Sequence, residues 1–161
     1  MNKNQFTTST ALQTKKLGAL LAEELQGGEV ICLSGDLGAG KTTFTQGLLK
    51  GLHISGPYTS PTFTIMKEYG ISNLEFGKNT ALFKIQNSKF KISHVYHIDA
   101  YRIESDDLIG LGWQDFAGKP HVITIIEWPE RVKRILPKNA LWIDFQWLDE
   151  KKRRITLSIK K

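Results

Sequence analysis

Cysteine is almost absent from this chain of 161 residues: Cys32 stands alone, so no intramolecular disulfide can form. Stable disulfides belong to oxidising compartments, and we therefore expect a reducing, cytoplasmic environment. Long hydrophobic runs are absent as well, since no apolar stretch approaches the roughly 18 residues that a helix needs to cross a bilayer. Because the N-terminal segment is also polar, we expect neither a signal peptide nor a membrane partner.

Two motifs that would indicate other classes of protein are also missing. The tetrapeptide Asn-Lys-x-Asp, which usually recognises guanine, does not occur, and this argues against a GTPase-like switch. His94 and His97 lie close together, but no further cluster of Cys or His accompanies them, so a zinc site is not expected. The hydrophobic content of 40% and charged content of 24% are typical of a soluble globular protein, and the length fits a single domain over residues 1–161.

What the sequence does contain is a phosphate-binding loop. Residues 35–42 read GDLGAGKT and match the pattern G-x-x-x-x-G-K-[ST] without a mismatch. In this pattern the glycines let the backbone adopt positive φ and approach the phosphates, the lysine reaches the β- and γ-phosphates, and the hydroxyl is a magnesium ligand. The nucleotide-binding residues predicted here are Gly35, Asp36, Leu37, Gly38, Ala39, Gly40, Lys41, Thr42 and Thr43.

The flanking residues place this loop in its usual context. An apolar run at residues 30–33 predicts a buried strand before it. After it, Phe44, Leu48 and Leu52 recur at helical spacing, so a helix starts near Lys41 with its positive dipole end toward the phosphates. The alternative is a glycine-rich turn between strand and helix that binds nothing.

Two acidic residues end predicted strands further along the chain. Residues 94–102 alternate polar and apolar side chains and place Asp99 near the end of a strand, while the apolar residues 122–126 run directly into Glu127. A carboxylate at the end of such a strand organises magnesium and water in P-loop ATPases, although Asp is more usual there than Glu. For Asp99, an ordinary structural role explains the residue equally well.

Several other segments have predicted structures. The chain through Gln5 reads as a loose arm, and residues 7–10 offer N-cap candidates for a helix that ends at residues 27–28. Ser105, followed by two acidic residues, is predicted to be the N-cap of a later helix. Residues 60–63, Ser-Pro-Thr-Phe, form a rigid X-Pro step that is either a switch-like loop or a plain turn before a strand over residues 63–69. Within residues 70–93, alternating side chains predict an inserted β-hairpin whose lysines form a solvated or a binding face.

The basic charge of the chain is concentrated in its C-terminal part. Residues 128–161 hold ten Lys or Arg and four Asp or Glu, a difference of +6, whereas residues 1–127 hold twelve of each. The pattern of this part predicts a final antiparallel hairpin, with the basic run 151–154 at its turn. Such a turn attracts RNA phosphates or an acidic protein surface, or is simply solvated.

Four sequence blocks, taken together, resemble the TsaE (YjeE) family of small bacterial P-loop ATPases. They are residues 35–44, residues 60–63, the pattern His-x-Asp-x-Tyr-Arg at residues 97–102, and Glu-Trp-Pro-Glu at residues 127–130. Their order matches the family, and the resemblance covers about residues 9–149. It implies an α/β fold: a three-layer P-loop NTPase-like domain with a central mixed β-sheet and antiparallel peripheral strands. The stretch 70–93 is longer than the link expected from the family.

The resemblance also implies a function. The protein would bind and hydrolyse ATP with Mg²⁺, as an accessory to the threonylcarbamoyladenosine modification of tRNA, acting on the TsaB–TsaD complex, which also holds tRNA. It would be a weak ATPase alone and activated by these partners. Thr42 and Glu127 would hold the metal, Asp99, Glu127 and Thr62 would be catalytic, and Thr10 would approach the base. The alternatives are a small-molecule kinase, for which no clear lid segment is found, and a non-hydrolysing RNA-binding P-loop switch.

Overall fold

The computed structural model describes residues 4–61, 63–71 and 92–159. Thr62 and residues 72–91 of the predicted hairpin lie outside the described residues. The strands are β1 (Asn4–Thr8), β2 (Val30–Ser34), β3 (Met66–Gly70), β4 (His94–Asp99), β5 (Val122–Glu127), β6 (Leu141–Trp147) and β7 (Arg153–Ile159). The helices are α1 (Ala11–Glu24), α2 (Lys41–Gly51), α3 (Ser105–Gly110), α4 (Trp113–Phe116) and a 3-10 helix, Pro129–Ile135.

These strands form one mixed sheet in the order β1-β7-β6-β2-β5-β4-β3. The four inner strands, β6, β2, β5 and β4, run parallel. Toward the edges, β3 pairs antiparallel with β4, β7 pairs antiparallel with β6, and β1 pairs antiparallel with β7. The carboxyl ends of parallel strands meet at one edge of a sheet, and Leu33 and Asp99 both pair with Glu127 there. This sheet confirms the predicted mixed arrangement with antiparallel peripheral strands.

Helices cover both faces of the sheet, which gives the predicted three layers. On one face Leu48 and Leu49 of α2 pack in a core with Ile31 and Ile125. On the other face α3, α4 and the 3-10 helix bury a second core that includes Cys32. Because both faces are covered, β2 and β5 read as continuous apolar runs rather than alternating ones. Among the described residues, no helix is both long and apolar enough to cross a membrane.

The N-terminal segment differs from its prediction. Residues through Gln5 were expected to form a loose arm, but Asn4 and Gln5 belong to β1 and pair antiparallel with β7. The prediction was wrong because the outer edge of β7 offers backbone partners to a segment that has little apolar pattern of its own. The helix that follows begins as predicted, with Thr10 as N-cap accepting a hydrogen bond from the Gln13 amide at 3.1 Å.

Three element boundaries also shift. Helix α1 ends at Glu24, before the predicted end at residues 27–28; Gly27 instead lies in the link to β2, where a Cβ would come 2.2 Å from the Pro120 carbonyl oxygen. Strand β3 starts at Met66 rather than at residue 63. The sequence also suggested Ser105 as the N-cap of α3, but the N-cap is the residue before it.

Candidate nucleotide-binding site

The phosphate-loop sequence forms a tight connection between β2 and α2. Gly35 has φ 134° and leaves no space for a side chain, because a Cβ there would lie 2.4 Å from the carbonyl oxygen of Phe145. Gly40, with φ 107°, is the N-cap of α2. Both positions need a backbone conformation that glycine adopts without strain. The loop therefore delivers the amide end of α2 to the carboxyl edge of the sheet, where anions bind readily.

Lys41 lies buried at the start of α2, with only 4% of its surface exposed. Its Nζ donates hydrogen bonds to the carbonyl oxygens of Gly35 at 2.6 Å and Asp36 at 2.9 Å, and it lies 4.1 Å from the centre of the Trp128 ring. Burial lowers the pKa of this amine, and the nearby carboxylates, first that of Glu127, oppose the shift. The amine of Lys41 is thus held in place by two carbonyl oxygens and an aromatic ring.

A carboxylate and a hydroxyl meet beside this amine. The Thr42 hydroxyl lies 3.3 and 3.4 Å from the two carboxylate oxygens of Glu127, the last residue of β5. His97 of β4 approaches Glu127 from the other side, with Nε2 at 2.9 Å from Oε1. Hard oxygen donors of this kind suit Mg²⁺, which completes its shell with water and phosphate oxygens. The donor set at Thr42 and Glu127 therefore fits the metal that the sequence predicts.

Asp99 ends β4, directly opposite Glu127 in the sheet. It is 7% exposed, and its Oδ1 accepts a hydrogen bond from the backbone amide of Tyr101 at 2.9 Å. This contact supports a structural role, yet Asp99 also lines the cleft beside the phosphate loop. Asp99 can therefore have both of the roles considered from the sequence, a structural role at the end of β4 and a role beside the phosphates.

A cleft of about 340 Å³ opens over these groups. It is lined by Leu37, Gly38, Gly40, Lys41, Thr42, Thr43, Ser60, Asp99, Tyr101, Arg102, Glu127 and Trp128. The cleft thus brings together most of the nucleotide-binding residues that the sequence predicts and both acids. Of the other predicted loop residues, Gly35 and Asp36 contribute carbonyl oxygens to Lys41. Ala39 is buried in the same core as the apolar side chains of α2.

Two predicted site residues stand apart from this set. Thr10 is not among the residues that line the cleft; it caps α1, and Thr14, one turn later, lies 3.8 Å from the position of a Cβ on Gly40. Thr62 is outside the described residues, although Ser60 of the same block lines the cleft. The roles of Thr10 and Thr62 therefore stay predictions.

Trp128 and His97 contact the site, although the sequence alone predicted no role for either residue. Trp128 has the left-handed φ of 61°, its amide donates to the Leu33 carbonyl at 3.3 Å, and its ring lies 5.0 Å from that of Tyr101. An L side chain rarely adopts this backbone conformation, and such residues concentrate at functional sites. The signal for Trp128 was its position next to Glu127; for His97 it was the two-residue spacing from Asp99, which puts both on one face of β4.

The predicted antiparallel hairpin of β6 and β7 is confirmed. The basic run 151–154 covers the end of its turn and the first two residues of β7. The carboxylate of Asp149 accepts hydrogen bonds from the amides of Lys151 at 2.9 Å and Lys152 at 2.7 Å. These bonds lower the pKa of Asp149. Nearby, the Arg153 guanidinium lies 5.5 Å from the ring of Trp147, which is 60% exposed. The turn is ordered by Asp149 and presents cationic side chains to solvent.

Comparison with known proteins matches this chain to one protein family. The family model described as "Threonylcarbamoyl adenosine biosynthesis protein TsaE" matches residues 8–155. A relative from Nostoc sp. (strain PCC 7120) is 40% identical over 123 residues, which cover 74% of this chain and 64% of that protein, just under two thirds of its length. A relative from Bacillus subtilis is 34% identical over 159 residues, 98% of this chain and 87% of its own. Both bear the name tRNA threonylcarbamoyladenosine biosynthesis protein TsaE.

A solved structure agrees with this match. The crystal structure of Bacillus subtilis YdiB superposes with a TM-score of 0.70 at 28% sequence identity. The superposition covers 98% of this chain and 86% of that one. The likeness therefore extends over the whole sheet and is not confined to the phosphate loop.

Proposed function

The chain belongs to the TsaE family, and on that premise we propose that it binds and hydrolyses ATP with Mg²⁺ as an accessory protein of tRNA threonylcarbamoyladenosine biosynthesis. The observation that carries the proposal is the meeting of Lys41, Thr42 and Glu127 in one cleft. A loop amine, a loop hydroxyl and a strand-end carboxylate are the parts that P-loop ATPases use on the β- and γ-phosphates.

Binding follows from the charges and donors at the loop. The first residues of α2, Lys41, Thr42 and Thr43, line the cleft. The first amides of a helix have no acceptor within it, so they can donate to phosphate oxygens there. Lys41 adds a positive charge at the same place. Thr42 and Glu127 would hold Mg²⁺, which when bound neutralises charge on the phosphates.

Hydrolysis needs a water molecule in line with the γ-phosphate. The oxygen of that water forms a bond to phosphorus while the bond to the β-phosphate oxygen breaks, which gives ADP, inorganic phosphate and a proton. Asp99 and Glu127 are paired across β4 and β5 and both line the cleft, so their carboxylates can orient the water and take up the proton. Arg102 is exposed at the same cleft and is the candidate cation within the chain for charge that develops on the phosphoryl group.

The exposed side chains at the mouth of the cleft support the proposal that partner proteins activate hydrolysis. Leu37 and Tyr101 line it and are 88% and 56% exposed, so bound nucleotide would remain open to water. A docked partner would cover these side chains and exclude water from the cleft. We propose that the TsaB–TsaD complex is this partner, so that hydrolysis is slow in the isolated chain and coupled to docking. In related phosphoryl-transfer enzymes, a group supplied by a partner raises the rate by about 10³–10⁵.

The test is phosphate release from the isolated chain, then with TsaB and TsaD together, with and without tRNA. The Lys41→Ala variant in the same mixtures is the control for contaminating ATPases. We expect a rise of at least tenfold with the partners. A rate that none of the additions changes would overturn partner activation, and the absence of ATP binding to the wild type would overturn the whole proposal.

A second candidate, a non-hydrolysing RNA-binding P-loop switch, rests on the basic turn between β6 and β7 alone. It predicts tRNA binding that weakens steeply as salt concentration rises, together with nucleotide binding and no phosphate release in any mixture. The same set of measurements therefore separates it from the ATPase.

A further inference from the structure

His97 lies on β4, between β5 and the edge strand β3, and is buried next to the site. Its side chain is 1% exposed, and its Nε2 lies 2.9 Å from Oε1 of Glu127. The other ring nitrogen, Nδ1, is buried and has no hydrogen-bond partner among the described residues. Buried polar atoms are nearly always paired, and an exception calls for an explanation. An apolar side chain would pack at this position without leaving an unpaired nitrogen.

Glu127 supplies the explanation, because its carboxylate has two different neighbours. On the α2 side it meets the Thr42 hydroxyl, and on the β4 side it meets His97. Glutamate is one methylene longer than the aspartate more usual at this place, so its carboxylate has an additional rotatable bond. A hydrogen-bond donor on the neighbouring strand β4 would restrict rotation about this bond and fix the position of the carboxylate.

We propose that His97 is a positioning residue: its Nε2–H donates to Oε1 of Glu127 and holds the carboxylate toward Thr42 and the cleft. The inference rests on the proposed function, since it concerns how the metal-associated acid is oriented. It needs only a hydrogen-bond donor and not a charge on the ring, because the neutral tautomer with its proton on Nε2 also donates. This tautomer also leaves a lone pair at the unpartnered Nδ1, which costs less than a buried N–H without an acceptor.

Strand pairing explains why this geometry is available. His97 pairs with Ile125, two residues before the pair formed by Asp99 and Glu127, and the alternation of β4 puts His97 and Asp99 on one face. The imidazole therefore reaches the carboxylate diagonally across two adjacent parallel strands. Groups behind a metal ligand that fix its orientation commonly change metal affinity or activity by about 10–100-fold when they are removed.

Two amide variants separate positioning from packing. In His97→Gln the amide nitrogen can reach the position of Nε2, whereas in His97→Asn it reaches only the position of Nδ1. Both variants place a neutral polar group in the same buried space, so their effects on folding are closely matched. His94→Asn on the same strand, where the side chain is 45% exposed, is the control.

The measurements are calorimetric ATP affinity with and without Mg²⁺, thermal melting of the ligand-free proteins, and kcat and KM in the presence of TsaB and TsaD. We expect His97→Asn to reduce the gain in ATP affinity that Mg²⁺ provides by about tenfold. Its kcat should fall by a similar factor and its KM for ATP–Mg²⁺ should rise, with little change in the affinity for metal-free ATP. His97→Gln should keep most of both properties, although the two variants melt at similar temperatures.

The results for the two amide variants and for the wild type decide between the positioning role and its alternatives. If His97→Asn keeps the wild-type response to Mg²⁺ and the wild-type kcat, or if Gln and Asn are equally defective, His97 does not position Glu127. If the wild type itself shows no ATP–Mg²⁺ binding, the proposed function is overturned and this inference with it. Binding by the wild type together with an unaffected Asn variant overturns the inference alone.

Discussion

The hydroxyl of Thr42 lies 3.3 Å from Oε1 of Glu127, although 85 positions separate the two residues in the chain. Thr42 belongs to the first turn of α2, and Glu127 is the last residue of β5. The parallel pairing of β2 with β5 brings the start of the phosphate loop and the end of β5 to the same edge of the sheet. A phosphate group held by the loop would therefore lie within reach of this carboxylate.

Lys41→Ala should abolish measurable ATP–Mg²⁺ binding and leave the fold intact. Hydrogen bonds to charged groups contribute roughly 1.5–3 kcal/mol each, so loss of the amine should weaken binding by at least about tenfold. The fold should tolerate the change, because burial lowers the pKa of Lys41 and the charged amine is thus held against a desolvation cost. Calorimetric titration and circular dichroism check both parts, with the exposed Lys50→Ala on the same helix as control. Wild-type affinity in a folded Lys41→Ala protein would exclude this site.

Glu127→Gln and Asp99→Asn should each suppress hydrolysis more than ATP binding. The loop and Lys41 dominate ground-state affinity, whereas a placed carboxylate matters most as phosphoryl transfer develops. We expect kcat with TsaB and TsaD to fall by about 10²-fold or more, while the dissociation constant for metal-free ATP changes by only a few-fold. Single-turnover hydrolysis measured beside calorimetry separates the two quantities. A variant that hydrolyses at the parent rate would remove that residue from the mechanism.

Gly47→Ala should destabilise the fold through the contact between α1 and α2. A Cβ on Gly47 would lie 2.0 Å from the carbonyl oxygen of Lys15, so the two helices would have to move apart. We expect a loss of about 1–3 kcal/mol, or a fall in Tm of several degrees. Gly110→Ala is the control, because a Cβ there meets nothing within 4 Å and Ala favours a helix by up to about 1 kcal/mol. Equal melting temperatures for the two variants would contradict the close packing.

Asp149→Asn should lower thermal stability in a pH-dependent way. Hydrogen bonds from the amides of Lys151 and Lys152 lower the pKa of Asp149 in the folded state. Its stabilisation is therefore complete above the unfolded-state value of about 3.9 and is lost as the pH falls through the lower folded-state value. The Asn variant should melt below the wild type at neutral pH by a small margin that closes under acid conditions. Melting curves from pH 2 to 7, with Glu150→Gln as control, check this, and a pH-independent difference would refute the assignment.

Much of the site could be predicted because its determinants are local. The glycines of the phosphate loop, Lys41 and Thr42 stand at fixed spacings, and the apolar run before them and the helical spacing after them fix a strand and a helix. For the same reason the final hairpin and the acid at the end of β5 were found from the sequence, and the four blocks identified the family. The layered fold was predicted from the resemblance that the four sequence blocks carry.

The tertiary structure decided the contacts that depend on strand order. Nothing in the local pattern shows that Asn4 and Gln5 join the edge of β7, that His97 meets Glu127, or that Gly47 packs against the backbone of Lys15. Backbone hydrogen bonding at a sheet edge is largely independent of side chains, so a polar segment can pair there without a signal. The sequence by itself thus predicted most of the elements and the loop that we propose holds the phosphates. Only the parallel pairing of distant strands decided which carboxylate faces Thr42 and which residue holds that carboxylate in place.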